Sequence, residues 1–201
     1  ALAYQRRDLR FRQDAVVARV FTGASVRVDR FTFIPYMAVD VGPVELERLL
    51  RDPAVASVHE EARYHTKDSV SGRLINADDV IRLGRRGAGW TIAVIDTGVD
   101  RIHRLFRPDK VVAEACFSRQ DPPRSISLCP GHVDMSTSPG SGEDCAIRGC
   151  SHGTHVASIA AGNIYATIYG IAPDAKLISI QVFQRDRLFS IYTTDTNMLK
   201  A

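Results

Sequence analysis

No apolar run in these 201 residues approaches the roughly 20 needed to cross a bilayer, so a membrane-spanning helix is not expected. A strong excess of one charge is missing too. Lys and Arg number 26 against 23 Asp and Glu, and a net charge of +3 is too mild to imply a nucleic-acid partner. The arginine clusters at Arg6-Arg7 and Arg85-Arg86 read as solvated surface. No methionine opens the chain, and Ala1-Leu2-Ala3 leads into charged residues rather than a signal peptide. The sequence is therefore expected to be an internal piece of something longer. Cysteine is absent from residues 1–115 and 151–201, and no Cys-x-x-Cys pair occurs, which argues against a zinc site.

What cysteine there is lies together. Cys116, Cys129, Cys145 and Cys150 form an even set within one loop-rich stretch, which suggests two disulfides and an oxidising compartment. Three connectivities are possible; local pairing, Cys116 with Cys129 and Cys145 with Cys150, is preferred. An apolar content of 45% and a charged content of 24% suit a sizeable folded domain, with room for a smaller appendage.

Along the chain, Leu9, Phe11, Ala15, Val16 and Val20 predict an amphipathic helix over residues 8–21. Strands are predicted at 25–31, 36–41 and 55–60, and a short helix at 44–50 between Pro43 and Pro53. Helix–strand–strand–helix–strand is the order of a ferredoxin-like split βαβ lacking its first strand, although a plain small α+β module has the same order. Polar residues 62–71 read as a linker or an exposed strand, and residues 76–82 as a helix. The run Ile92-Ala93-Val94-Ile95 is short, mostly β-branched and bounded by glycine, as in a buried parallel strand, with Asp96 at its carboxyl end. Residues 104–149 read as a long loop. Residues 151–162 form a helix with His152 near its start, residues 175–183 a second buried strand, and residues 191–195 the beginning of another helix.

A carboxylate at a strand end and an imidazole at a helix start can form part of an acid–base relay, in which the Asp holds the His tautomer and the His takes a proton from a nucleophile. The local sequences Val94-Ile95-Asp96-Thr97-Gly98-Val99-Asp100 and Gly149-Cys150-Ser151-His152-Gly153-Thr154-His155-Val156-Ala157 closely resemble the Asp and His motifs of the subtilisin-like serine proteases, the subtilases. Ala88-Gly89-Trp90-Thr91 and Gly170-Ile171-Ala172-Pro173-Asp174 extend the likeness.

The resemblance implies an α/β fold. It would be the parallel sheet of an incomplete subtilisin-like catalytic domain over residues 74–201, preceded by a small α+β ferredoxin-like, inhibitor-type propeptide at 1–62 and a processing region at 63–73. The activity implied is a secreted serine endopeptidase acting on peptide or protein substrates, with Asp96 and His152 catalytic and the propeptide occupying the cleft until a cut between about His59 and Ser71. The family's Gly-Thr-Ser nucleophile motif does not occur in this sequence, so the stretch by itself is expected to be inactive. His103 is followed by Arg104 where the family usually has Pro. His155 is expected to be a packing residue. No cofactor is implied with certainty. Structural calcium is common in the family, but Asp100, Asp134, Glu143 and Asp144 show no ligand spacing, and each is expected to be solvated or to cap a turn. An alternative is an inactive remnant that serves as a protease inhibitor or protein-binding module; a disulfide-rich structural domain is a third reading.

Overall fold

A computed structural model describes residues 2–22, 26–61, 63–64, 77–164 and 168–201. The chain divides into two compact units, residues 1–62 and 63–199. Among the described residues, no helix is long and apolar enough to cross a membrane.

The first unit contains α1 (Leu2–Val20), β1 (Val28–Arg30), β2 (Met37–Val39) and α2 (Pro43–Arg51). Helix α1 starts six residues before its predicted beginning, and the ion pairs Asp8–Arg12 and Arg10–Asp14 join neighbouring turns along it. Phe11 does not join the apolar face, since it is largely exposed. Spacings of three and four put Gln13, Val16 and Val20 on one side of the helix, and a residue two from Leu9 or Gln13 falls elsewhere. Gln13 is buried because its amide donates to the carbonyls of Phe31 and Tyr36, closing the turn between antiparallel β1 and β2. Val16, Val20, Phe21 and Leu49 form the core of this unit.

The strand predicted at 55–60 does not form. Val55 and Val58 pack against the core, but they are three residues apart, whereas one face of a strand needs a spacing of two. The observed order is therefore α–β–β–α.

The second unit begins with β3 (Arg63–Tyr64) and α3 (Ala77–Arg82). Most of the expected processing region, 65–73, and the predicted helix start at residue 76 lie outside the described residues. Then come β4 (Thr91–Asp96), β5 (Val111–Phe117), β6 (Ile126–Ser127), β7 (Met135–Ser136), α4 (Ser151–Ala161), β8 (Asn163–Ile164), β9 (Ile168–Tyr169), β10 (Lys176–Gln181), β11 (Gln184–Arg185), β12 (Ile191–Thr194) and α5 (Asp195–Lys200).

One sheet runs β4-β10-β5-β7, with β10 parallel to both β4 and β5. Its register puts Gln181 of β10 opposite both Asp96 and Cys116, so these three residues share one row at the carboxyl ends of the strands. Small residues at four-residue intervals, Gly153, Ala157 and Ala161, are buried along α4. There Ala157 and Ala161 pack with Val94, Val99, Phe106 and Leu177. A second cluster gathers Cys145, Cys150, Ile180, Val182, Phe183 and Ile191. A second sheet is ordered β3-β12-β11-β6, antiparallel throughout.

Three predictions in this unit differ from the structure. Residues 92–95 lie in a strand, but not a buried one: Val94 is buried, whereas Ile95 is 47% exposed. The supposed loop at 104–149 contains β5, which pairs along β10. The strand was hidden because Glu114 interrupts its apolar run; that carboxylate is met by the Gly140 amide at 2.8 Å and by Arg101. Residues 191–194 form β12 rather than a helix start, as the β-branched Ile191, Thr193 and Thr194 favour. Helix α5 begins after them, with the Thr194 hydroxyl accepting from the Asn197 amide as its cap.

Candidate active site

Asp96 ends β4 because the apolar run stops there and the chain turns sharply at Thr97-Gly98. Gly98 has φ +90°, and a Cβ on it would lie 2.2 Å from the Glu143 carbonyl oxygen, so only glycine lets these two backbones meet. His152 is the second residue of α4, after Ser151. The two come together across 56 residues of sequence. The His152 Nδ1–H donates to Asp96 Oδ1 at 2.8 Å and lies 3.0 Å from Oδ2. Because an ionised carboxylate only accepts, this bond holds the ring with its proton on Nδ1 and its Nε2 as the basic nitrogen. The Thr97 amide donates to Asp96 Oδ1 at 2.7 Å, a second bond that orients the carboxylate. The side chains of Asp96 and His152 are 14% and 15% exposed, enough burial to strengthen their attraction while leaving access from one side.

Around the ring opens a cavity of about 450 Å³, whose lining includes Asp100, His103, Asp144, His152 and His155. His155, expected to be a packing residue on a different side from His152, is instead exposed and lines the same cavity. The inward positions of α4 go to Gly153, Thr154, Ala157 and Ala161, and His155 lies off that face. Burial, then the charges of Asp100 and Glu143, push the Asp144 carboxyl above its ordinary range; His103 partly offsets them.

The disulfides are Cys116–Cys129 and Cys145–Cys150, with Cα separations of 5.6 and 5.2 Å. The second closes the short loop that leads directly into α4. Three of the four acids considered for calcium have other engagements. Asp100 Oδ1 accepts from the Ile102 amide, Asp134 Oδ1 accepts from the Gln120 amide, and Glu143 pairs with Arg101 at 3.2 Å. Asp144 lines the cavity. Among the described residues, no three His, Cys, Asp or Glu side chains are grouped to hold a metal ion.

Two participants were not singled out from sequence, Thr97 and Gly153. The Thr97 hydroxyl donates to the Cys150 carbonyl at 2.6 Å and accepts from the Gly153 amide at 2.8 Å. A Cβ on Gly153 would lie 2.2 Å from the Gly98 carbonyl oxygen, 3.1 Å from the Thr97 hydroxyl and 3.2 Å from Asp96 Cβ. Both residues stand inside the quoted motifs, but only their contact across the fold shows why a hydroxyl and a missing side chain are needed there.

The chain is similar to known proteins. It is 31% identical over 156 residues to an alkaline protease of Alkalihalobacillus alcalophilus, which covers 76% of this chain and 34% of the relative. It is 30% identical over 152 residues to a calcium-dependent protease of Trichormus variabilis, covering 67% of this chain and 20% of the relative. Among solved structures, the MycP3 protease from the type VII (ESX-3) secretion system is 29% identical over 59% of this chain and 27% of its own, with a TM-score of 0.35. The chain thus spans about a third of the length of the first of these relatives. The Subtilase family model matches residues 87–200, which contain β4, α4, β10 and the Asp96–His152 pair. With more than half of its residues matched by that model, the chain belongs to the subtilase family.

Proposed function

We propose that the protein carrying this chain is a serine-type endopeptidase, with Asp96 and His152 as two members of its triad. The observation that carries this reading is the Nδ1–H bond from His152 to Asp96, formed between the two motifs of a matched family segment. In the proposed mechanism, His152 Nε2 accepts the proton of a serine hydroxyl as the oxygen adds to the scissile carbonyl. It then returns that proton to the leaving amine. Asp96 holds the ring and stabilises the imidazolium formed between those transfers. The hydroxyl is assigned to a part of the protein outside these 201 residues, which contain no Gly-Thr-Ser segment. The stretch by itself is therefore expected not to hydrolyse peptides.

Residues 1–62 are proposed as a propeptide, removed by a cut between about residues 59 and 71. The assignment rests on the family resemblance and on these residues forming a compact unit of their own, whose α–β–β–α order lacks the closing strand of a split βαβ. Two disulfides are consistent with secretion into an oxidising compartment.

The test is hydrolysis of an unstructured protein substrate by the full-length protein. His152→Ala should lower kcat by about 10⁶, as much as loss of the whole triad, and Asp96→Ala by about 10⁴, since the ring then keeps its basic nitrogen but loses its orienting partner. Activity of His152→Ala within tenfold of the unaltered enzyme would refute the assignment. Mass spectrometry of the secreted product locates the cut.

A further inference from the structure

Helix α4 has no side-chain cap from the residue at its start. The residue at the capping position is Cys150, whose side chain is committed to the disulfide with Cys145 and makes no capping hydrogen bond. A helix start leaves several backbone N–H groups without intrahelical partners, and here the chain segment in question aims His152. The missing acceptor comes from another element. Thr97, fully buried, accepts from the amide of Gly153, the third helical residue, at 2.8 Å. That amide is one that a conventional Ser or Thr cap would satisfy. The same hydroxyl donates to the Cys150 carbonyl at 2.6 Å. One oxygen therefore grips the helix on both sides of His152.

Thr97 also grips the other partner. Its amide donates to Asp96 Oδ1 at 2.7 Å, and its carbonyl accepts from the Cys145 amide at 3.3 Å. The base, its carboxylate and both ends of the disulfide loop are all referred to a single residue. Gly153 makes this possible, since any Cβ there would hold the helix away from residues 96–98.

We propose that Thr97 is a positioning residue for the reaction, a helix cap supplied from the β4 end that sets the alignment of His152 with Asp96. This rests on the endopeptidase reading above. It assigns Thr97 no contact with substrate; Thr97 acts through the geometry of the pair. Without the Thr97 hydroxyl, Gly153 packing, the disulfide and the bond from the Asp100 amide to the Thr154 hydroxyl would keep the fold but allow the ring to shift, and misplacement by about 1 Å is enough to cost on the order of 10²-fold in rate.

The test compares Thr97→Val, which keeps the shape and removes both side-chain hydrogen bonds, with Thr97→Ser, which keeps the hydroxyl. In the full-length protein, Thr97→Val should lower kcat by about 10- to 100-fold with KM within about twofold, and Thr97→Ser should restore most of the rate. The NMR resonance of the His152 Nδ1 proton gives a readout that requires no hydrolysis. It should stay far downfield in the unaltered protein and in Thr97→Ser, and move or broaden in Thr97→Val. If the protein hydrolyses no peptide, the endopeptidase reading fails, and the resonance still decides whether Thr97 orders the pair. A Thr97→Val protein that melts earlier but keeps both kcat and the resonance would overturn the proposal and leave Thr97 a plain fold residue. Should Thr97→Val not fold, Thr97→Ala takes its place with the same two outcomes. Exchange of the Gly153 amide in the unaltered protein reads the cap directly, and exchange as fast as that of exposed Ser151 would also overturn it.

Discussion

Gly153→Ala puts the geometry of the site under a test whose sign is informative. Inside a helix, replacing Gly by Ala ordinarily stabilises by up to about 1 kcal/mol. Here the added methyl carbon would lie 2.2 Å from the Gly98 carbonyl oxygen, with the Thr97 hydroxyl and Asp96 Cβ at 3.1 and 3.2 Å. Ordinary contact begins near 3.4 Å, so α4 and the end of β4 must separate by about 1 Å. The closest atom is a backbone carbonyl oxygen, and the other two belong to short side chains with no flexible end to give. Overpacking of this kind costs about 1–3 kcal/mol, which outweighs the gain in helix propensity. The same separation would lengthen the His152–Asp96 bond from 2.8 Å to about 3.8 Å, beyond hydrogen-bond reach. Thermal or denaturant unfolding should therefore show Gly153→Ala less stable, and a kinetic assay of the full-length protein should show kcat lower by about 10²-fold. A variant that is as stable as the parent or more so, with an unchanged His152 Nδ1 proton resonance, would refute the close approach of helix and strand on which the site depends.

The two disulfides should separate stability from alignment. Replacing Cys116 and Cys129 with Ala opens the longer loop and should cost about 3 kcal/mol in denaturant unfolding, against about 2 kcal/mol for Cys145 and Cys150. Only the second pair should also lower kcat, because its loop enters α4; equal kinetic losses from both would contradict this. Asp144→Asn addresses pH. Burial and the charges of Asp100 and Glu143 raise the Asp144 carboxyl, so the folded state takes up this proton more readily than the unfolded one. The ionised form thus opposes folding at neutral pH, and the penalty disappears as pH falls below the ordinary carboxylate range. Asp144→Asn should raise stability at pH 7.5 by at most about 1 kcal/mol, given its partial exposure, and by nothing near pH 3. A larger gain in acid than at neutrality would reverse the sign of the argument.

Local pattern was enough to locate β4, α4 and β10, because each is a short apolar or small-residue run with a clear stop. The Asp and His motifs also stood out, since turn, charge and apolar run follow one another within a few residues. The pairing of cysteines preferred on proximity matches the two bonds seen. Strand β5 was not legible, as Glu114 breaks its hydrophobicity and its partners, the Gly140 amide and Arg101, are remote in sequence. Nor was the absence of a strand at 55–60, where side-chain burial takes place without a ladder. By itself the sequence determined which residues carry charge and acid–base chemistry, and on which kind of element each stands. Only the tertiary structure decided that His152 meets Asp96 and that Thr97 caps a helix it does not belong to. Those bonds join residues more than 50 positions apart, and their lengths depend on strand register and on two glycine contacts that no local pattern encodes.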